Sequence, residues 1–265
     1  MKNKAIIYPL LVLLLSMIIY LYYPSSNEIS TDDEINQGLT SSFDYLPTST
    51  TNQIIKHKFY SLSYNEKYEQ AEWVAYELKK EHLIGTNRKR PYFEPDKKVK
   101  TKSANYRNYK NSGFSKGHLC PAGDRKFSEE AYNETFLTSN ISPQKLDFNG
   151  GVWNRLEQKT RFWASKERHL YVITGGVLNN ELSTIGKEKV AVPKYFYKIL
   201  LDNSEPEIKA IAFLIPHKES KEPLFNFVVS IDSIEKLTRL DFFPALNDSI
   251  ENQLEKNSNY KKWSF

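Results

Sequence analysis

The chain of 265 residues is poor in sulfur, with one cysteine, Cys120, and two methionines. A single cysteine excludes an internal disulfide framework and any zinc site built from several thiolates. No cysteine follows the N-terminal apolar run, which excludes a lipid-modified cysteine there. No repeat with a period of 20–50 residues is present, which argues against a solenoid or propeller. Residues 24–50 contain no lysine or arginine at all. What remains is ample for a core, since hydrophobic residues make up 40% and aromatics 14%, and this rules out wholesale disorder.

The net charge of +5 hides an uneven distribution. Lys2 and Lys4 open the chain, and five acids (Glu28, Asp32, Asp33, Glu34, Asp44) follow within residues 24–50. From residue 51 onward the charge is +8, and residues 88–126 alone carry 12 bases against Glu94, Asp96 and Asp124. The basicity is one concentrated block.

Residues 5–23 are 19 positions without a charge. As a helix rising ~1.5 Å per residue they span about 28 Å, close to the hydrocarbon thickness of a bilayer. Lys2 and Lys4 before the run and acids after it place residues 1–4 in the cytoplasm. A cleaved signal peptide is the competing reading. The run is longer than the usual ~7–15 residues, and Tyr22-Tyr23-Pro24-Ser25-Ser26 is a poor small-x-small cleavage site. Residues 24–50 read as a flexible acidic tether and residues 51–265 as the globular domain.

Within that domain, Ala71, Val74, Ala75 and Leu78 recur at helical spacing and predict an amphipathic helix over residues 64–80. Residues 85–115 are basic, aromatic and broken by Pro91 and Pro95, which suits loops with short strands. Strands are expected at 170–174, 195–201, 210–215 and 226–231, and a short helix from Ile234 behind an Asp232/Ser233 cap. Together these predict an α+β domain with a mainly antiparallel central sheet flanked by helices.

Two segments concentrate chemistry. The first runs from Ser112 through Lys116-Gly117-His118-Leu119-Cys120-Pro121-Ala122 to Asp124. The second begins at Thr138-Ser139-Asn140-Ile141-Ser142-Pro143-Gln144 and continues through Asn149-Gly150-Gly151 to Arg161. Residues after Gly151 are helix-compatible to about residue 165. Trp153, Glu157 and Arg161 then share one face at i, i+4 and i+8, with Asn149 near the helix start. A carboxamide oxygen is a hard ligand suited to Mg²⁺, which keeps most of its water and takes few protein ligands. An arginine one turn beyond a glutamate can orient that glutamate and meet phosphate charge. Read singly, each residue has a plainer role: a turn histidine, a helix-capping asparagine, a surface ion pair. Cys120 reads as a small buried hydrophobe and Trp153 as core.

In order and spacing, these segments resemble the DNA/RNA non-specific endonucleases. That endonuclease G-like family carries a ββα-metal, or His-Me finger, active-site motif. Its members typically read Asp-Arg-Gly-His-Leu-x-Pro-Ala in the first segment, then Asn-x-x-Pro-Gln, Asn, Trp, Leu-Glu and Arg in the second. The likeness extends from about Tyr64, through Trp73-Val74-Ala75-Tyr76, to Asp241-Phe242-Phe243-Pro244. Ser115-Lys116 stand where the family usually has Asp-Arg; Lys116 keeps the charge without the bidentate fork.

The resemblance implies His118 as general base and Asn149 as the one direct protein ligand of Mg²⁺, with Mn²⁺ as a substitute. It implies Glu157 as the holder of metal-bound water and Arg161 as a phosphate contact. Asn140 would belong to the substrate-binding set and support the metal-site geometry, and Lys116 would contact substrate. Arg90 corresponds to an upstream phosphate-binding arginine, although Arg88 fits that place almost as well. The bases between Lys97 and Lys110, interleaved with Tyr106 and Tyr109, suit a phosphate-tracking surface without base readout. The Asn140-Ile141-Ser142 glycosylation sequon is read as chance, because that segment should be buried.

The expectation is a Mg²⁺-dependent endonuclease hydrolysing DNA and RNA. Its expected partners are the nucleic-acid phosphate backbone, the membrane through the N-terminal helix, and a second copy in a homodimer. The catalytic domain is expected on the non-cytoplasmic side: periplasmic or extracellular in a bacterium, the mitochondrial intermembrane space in a eukaryote, secreted if the leader is cut. The rivals are a phosphodiesterase of the same fold for small nucleotides and a non-catalytic nucleic-acid-binding module.

Overall fold

The computed structural model describes residues 43–204 and 207–265. The expected anchor at 5–23 lies outside those residues, as does the tether up to residue 42. Among the described residues no helix is long and apolar enough to cross a membrane. The last residues assigned to the tether belong to the domain instead, because they find partners on the sheet. The Trp73 indole donates to the Thr48 carbonyl at 2.8 Å, Thr48 N–H donates to Asp241 O at 2.9 Å, and Tyr45 packs on Tyr171. The compact unit that holds the sheet therefore begins at Asp44 rather than at residue 51.

In chain order the strands are β1 (Ile54–Lys56), β2 (Ser61–Asn65), β3 (Gln70–Lys79), β4 (Ser115–His118) and β5 (Ile141–Gln144). They continue with β6 (His169–Gly176), β7 (Thr184–Ile185), β8 (Val190–Ala191), β9 (Tyr195–Asp202), β10 (Lys209–Pro216) and β11 (Val228–Val229). The main helices are α1 (Glu129–Glu134), α2 (Asn154–Glu167), α3 (Ile231–Thr238) and α4 (Asp248–Glu255). Seven strands form one sheet in the order β1-β2-β3-β6-β9-β10-β11, each neighbour antiparallel. The α+β class and the mainly antiparallel sheet stand as expected.

Residues 64–80 do not form a helix; they hold the end of β2, a turn and β3. The spacing of Ala71, Val74, Ala75 and Leu78 misleads because β3 lies between β2 and β6 and is buried on both faces from Gln70 to Tyr76. A strand covered on both sides needs no alternation, and its aromatic and β-branched members suit the pleated surface. Its polar members are satisfied: Glu72 accepts from Ser63 at 2.9 Å and Asn65 at 3.1 Å, and Gln70 accepts from Ser142 at 2.5 Å.

The strands expected at 170–174, 195–201 and 210–215 are present as β6, β9 and β10. The one expected at 226–231 shrinks to Val228–Val229, since a 3₁₀ turn occupies Leu224–Phe227 and α3 begins at Ile231. Ser230, not Asp232 or Ser233, caps that helix by accepting from Ser233 N–H. Residues 85–114 contain no strand, only a single bridge from Glu94 to Leu137 and a 3₁₀ turn at Tyr106–Tyr109, and β4 begins at Ser115.

One feature of the topology places the site. β3 and β6 are neighbours in the sheet, yet residues 80–168 intervene between them, and that excursion contains β4, β5 and α2. The inner face of α2 is held by Leu156, Thr160, Trp163 and Ala164, all buried. Trp163 packs on Phe213 of β10 and on Trp263 near the C-terminus. Helix α2 is therefore fixed to the sheet, and its opposite face can carry chemistry on a rigid support.

Candidate active site

β4 and β5 form a separate antiparallel ribbon in which Gly117 faces Ser142 and His118 faces Ile141. A side chain at Gly117 would collide with that of Gln144, so glycine permits the close approach of the two strands. Beyond His118, Asn140 extends the pairing. Its Oδ1 accepts from Cys120 N–H at 2.8 Å, and its Nδ2 donates to the carbonyls of Cys120 (3.0 Å) and Thr135 (2.9 Å). Asn140 is fully buried, and its amide is committed to backbone. It therefore does not contact substrate, as its assignment to the substrate-binding set supposed; it fixes the strand that carries His118. Its burial also closes the glycosylation sequon.

A cleft of about 310 Å³ is lined by His118, Asn149, Glu157 and Arg161, together with Lys126, Tyr132 and Asn154. The imidazole of His118 leans on Phe93 and Phe136, with ring centroids at 5.5 and 5.0 Å. Its Nε2 is enclosed without a hydrogen-bond partner among the described residues. Burial, and after it the positive charge of Arg90, push His118 down to about 3, so the ring is a neutral base across the physiological range.

Asn149 opens a π turn, Asn149–Trp153, that leads into α2. Its Nδ2 donates to Ser115 Oγ at 3.1 Å, and Ser115 Oγ donates to the Gln144 carbonyl at 2.8 Å. With the amide nitrogen thus engaged, the carboxamide oxygen is the atom left for the cleft. Ser115, which departs from the family pattern, is therefore the group that orients Asn149.

One helical turn separates Glu157 from Arg161 on α2. Burial pushes Glu157 up to about 7, reinforced by Asp124 and opposed by Lys198 and Arg161. Lys198 lies behind the site, fully buried, with its ammonium 5.1 Å from the Trp153 ring centroid. The Arg161 Nη1 contacts Asp124 Oδ1 at 2.8 Å, and the other Asp124 oxygen accepts from Tyr76 Oη at 2.9 Å. Asp124 is 1% exposed, so this buried carboxylate determines where the guanidinium points.

Arg90 stands over Phe93 and Phe136, the two rings that hold His118. Arg88 instead donates to the Lys126 carbonyl at 2.8 Å, which leaves Arg90 as the exposed arginine beside the histidine. Lys116 shares the face of β4 that carries His118 and also reaches over Phe93. The lysines at 97, 98, 100 and 102 are exposed but do not line the cleft. Their turn is tied to β1 and the residue before it: Lys98 Nζ donates to Lys56 O at 2.8 Å and Lys100 N–H to Gln53 Oε1 at 2.8 Å. Cys120 is buried and its thiol is pushed up to about 12 by burial, which makes it inert packing.

The ribbon and α2 thus bring together His118, Asn149, Glu157 and Arg161, with Lys116 and Arg90 on the flank. Asp124, Lys126, Tyr132, Asn154 and Lys198 were not singled out from sequence. Lys126 and Asp124 lay inside the basic block; the other three carry no local signal. Among the described residues no trio of His, Cys, Asp or Glu gathers at the cleft. The donor set is a free carboxamide oxygen with a nearby carboxylate, which suits an ion that keeps most of its water.

A two-stranded ribbon bearing a histidine, followed by a helix bearing a carboxylate over the same cleft, is a ββα site. Residues 42–249 match the DNA/RNA non-specific endonuclease family, and the chain belongs to that family. It is similar to "Nuclease EXOG, mitochondrial" of Danio rerio, at 37% identity over 209 residues, covering 71% of this chain and 61% of that protein. It is similar to human "Endonuclease G, mitochondrial" at 32% identity, covering 73% of this chain and 70% of that one. A "Nuclease" of Nostoc is 31% identical over 250 residues, with 88% and 89% covered. The solved structure of an EndoG/EndoGI complex matches with a TM-score of 0.69 at 28% identity, covering 74% of this chain and 87% of that one. The chain spans 56–61% of the length of the EXOG relatives it matches.

Proposed function

We propose that this chain hydrolyses the phosphodiester backbone of DNA and RNA internally, with Mg²⁺ as its metal. The observation that carries the reading is the neutral His118 facing the same cleft as the Asn149 carboxamide oxygen, Glu157 and Arg161. His118 takes the proton from the attacking water; with Nε2 enclosed, Nδ1 is the nitrogen for that transfer. Arg161, held by Asp124, meets the charge that grows on the phosphoryl oxygens, and Lys116, Arg90 and Lys126 hold flanking phosphates. Asn149 Oδ1 would hold the Mg²⁺ directly and Glu157 through its water. The ion would neutralise phosphoryl charge and ease departure of the leaving oxygen. None of these groups reads a base edge, so cleavage is independent of sequence. The uncharged run at 5–23 behind Lys2 and Lys4 supports an anchor that keeps this activity on the non-cytoplasmic side.

The test uses the full chain with supercoiled plasmid, a long RNA and a small phosphodiester, each in Mg²⁺ and in EDTA. Both polymers are expected to be cut in Mg²⁺ and spared in EDTA. Asn149→Ala is expected to need at least about 10–100-fold more Mg²⁺ for half-maximal rate. Hydrolysis of the small diester alone would replace this reading with the small-substrate enzyme, and binding without cutting would replace it with the non-catalytic module.

A further inference from the structure

Lys198 is a charged residue in a place that the fold reserves for apolar ones. It sits midway along β9, facing Thr174 of β6 on one side and Phe213 of β10 on the other. Alternation along the strand puts it on the same face as Phe196 and Leu200. Phe196 meets Trp153, the residue before α2, with ring centroids 5.7 Å apart. The lysine side chain therefore enters the core beneath α2. It is 0% exposed, its ammonium lies 5.1 Å from the Trp153 ring centroid, and Nζ has no hydrogen-bond partner among the described residues.

A fully buried ammonium persists only where opposite charge compensates it. Glu157 is the acid that acts most strongly on Lys198, with Asp124 next. Asp124 is already committed, one oxygen to Arg161 and the other to the Tyr76 hydroxyl. Glu157 is free: among the described residues it joins no ion pair, not even with Arg161 one turn further along α2. Lys198 is in turn the charge that acts most strongly on Glu157. A glutamate four residues before an arginine on a helix ordinarily pairs with it. Here that pair would consume the carboxylate and the guanidinium that the cleft needs. We propose that Lys198 is a positioning residue for Glu157, a fixed cation in the core that draws the carboxylate inward and leaves Arg161 to Asp124 and to phosphate. The role rests on the nuclease reading, in which Glu157 would hold the water of the metal.

The experiment is a double-mutant cycle on the full chain with Lys198→Met, Glu157→Gln and the two combined. It is read by thermal unfolding without metal and by single-turnover plasmid cleavage in saturating Mg²⁺. Glu157→Gln strands the ammonium and should lower the melting temperature by about 3–6 °C. The double variant should melt higher than Glu157→Gln, because methionine removes the stranded charge. In cleavage, Lys198→Met should lose about 10–100-fold, the usual cost of removing a group that orients a metal-site side chain, whereas in the Glu157→Gln background it should cost less than about twofold. A lysine that only packs would lower both backgrounds alike and deepen the melting loss. Cleavage by Lys198→Met within about twofold of wild type, an equal further loss in the Glu157→Gln background, or a double variant that melts no higher than Glu157→Gln would each overturn the role. If Lys198→Met does not fold, the melting comparison of Glu157→Gln with the double variant decides by itself. A wild type that cuts nothing would instead overturn the nuclease reading, and the melting cycle would still decide whether Lys198 holds Glu157.

Discussion

His118→Ala should lower single-turnover cleavage by about 10²–10⁴-fold, the contribution of a positioned general base, while DNA affinity stays near that of the wild type. On the proposed reading, affinity rests on Arg161, Lys116, Arg90 and Lys126, which this change leaves in place, so the loss should fall on the rate. A second signature comes from titration. The folded chain holds His118 near 3, below the ordinary value of about 6.5, by burial first and by Arg90 second. Between those values the unfolded chain binds the extra proton and the folded chain does not, so this group's share of stability is present above about pH 6.5 and lost as pH falls toward 3. Removing the imidazole removes that loss. The melting temperature of His118→Ala relative to wild type should therefore climb as pH is lowered through that window. A difference constant from pH 7 to 4 would mean the imidazole is not held neutral.

Asp124→Ala should be the most damaging single change to stability. The carboxylate is 1% exposed and serves two partners, Arg161 at 2.8 Å and the fully buried Tyr76 hydroxyl at 2.9 Å. Removing one member of such a pair strands the other and typically costs about 3–5 kcal/mol. For a domain of this size that is a fall on the order of 10 °C in melting temperature. Activity should fall as well, because Arg161 loses the anchor that aims it. Asp124→Asn separates the two effects: it keeps the volume and an acceptor for Tyr76 but removes the charge facing Arg161. Thermal unfolding by circular dichroism reads the first effect and single-turnover cleavage the second. A loss below about 1 kcal/mol for Asp124→Ala would mean that the pair is better solvated than its burial implies.

The site was more legible in the sequence than the fold around it, and the reason is physical. Spacing alone put Asn149, Glu157 and Arg161 on one helical stripe, and the family resemblance of the two short segments joined His118 to them. Asp124 closes the first segment and is one acid in the basic block, but its role is hidden in the sequence, because its partner Arg161 lies 37 residues later and Tyr76 is on β3. Ser115 looked like a departure from a family pattern, and only its contact with Asn149 reveals that it orients the carboxamide. The bases from Lys97 to Lys110, with Tyr106 and Tyr109 among them, suit a phosphate-tracking surface in sequence, but the turn with Lys98 and Lys100 is tied to β1 and Gln53, and none of these bases lines the cleft. The helix expected over 64–80 failed for a different reason. Burial of β3 on both faces erases the alternation that identifies a strand, and what remains mimics helical spacing. β4 and β5 were passed over because Ser-Lys-Gly-His and Ile-Ser-Pro-Gln have little strand propensity; the ribbon is made by partners rather than by composition.

In the proposed mechanism, water activated in the cleft beside His118 attacks the phosphodiester. Single-turnover cleavage of a short duplex in ¹⁸O-labelled water with Mg²⁺ tests it most directly, with wild type and His118→Ala run side by side. One ¹⁸O is expected in each newly formed phosphate end with the wild type, and release of those ends should slow at least about 100-fold in the variant. Phosphate ends without ¹⁸O, or equal rates for the two proteins, would contradict it.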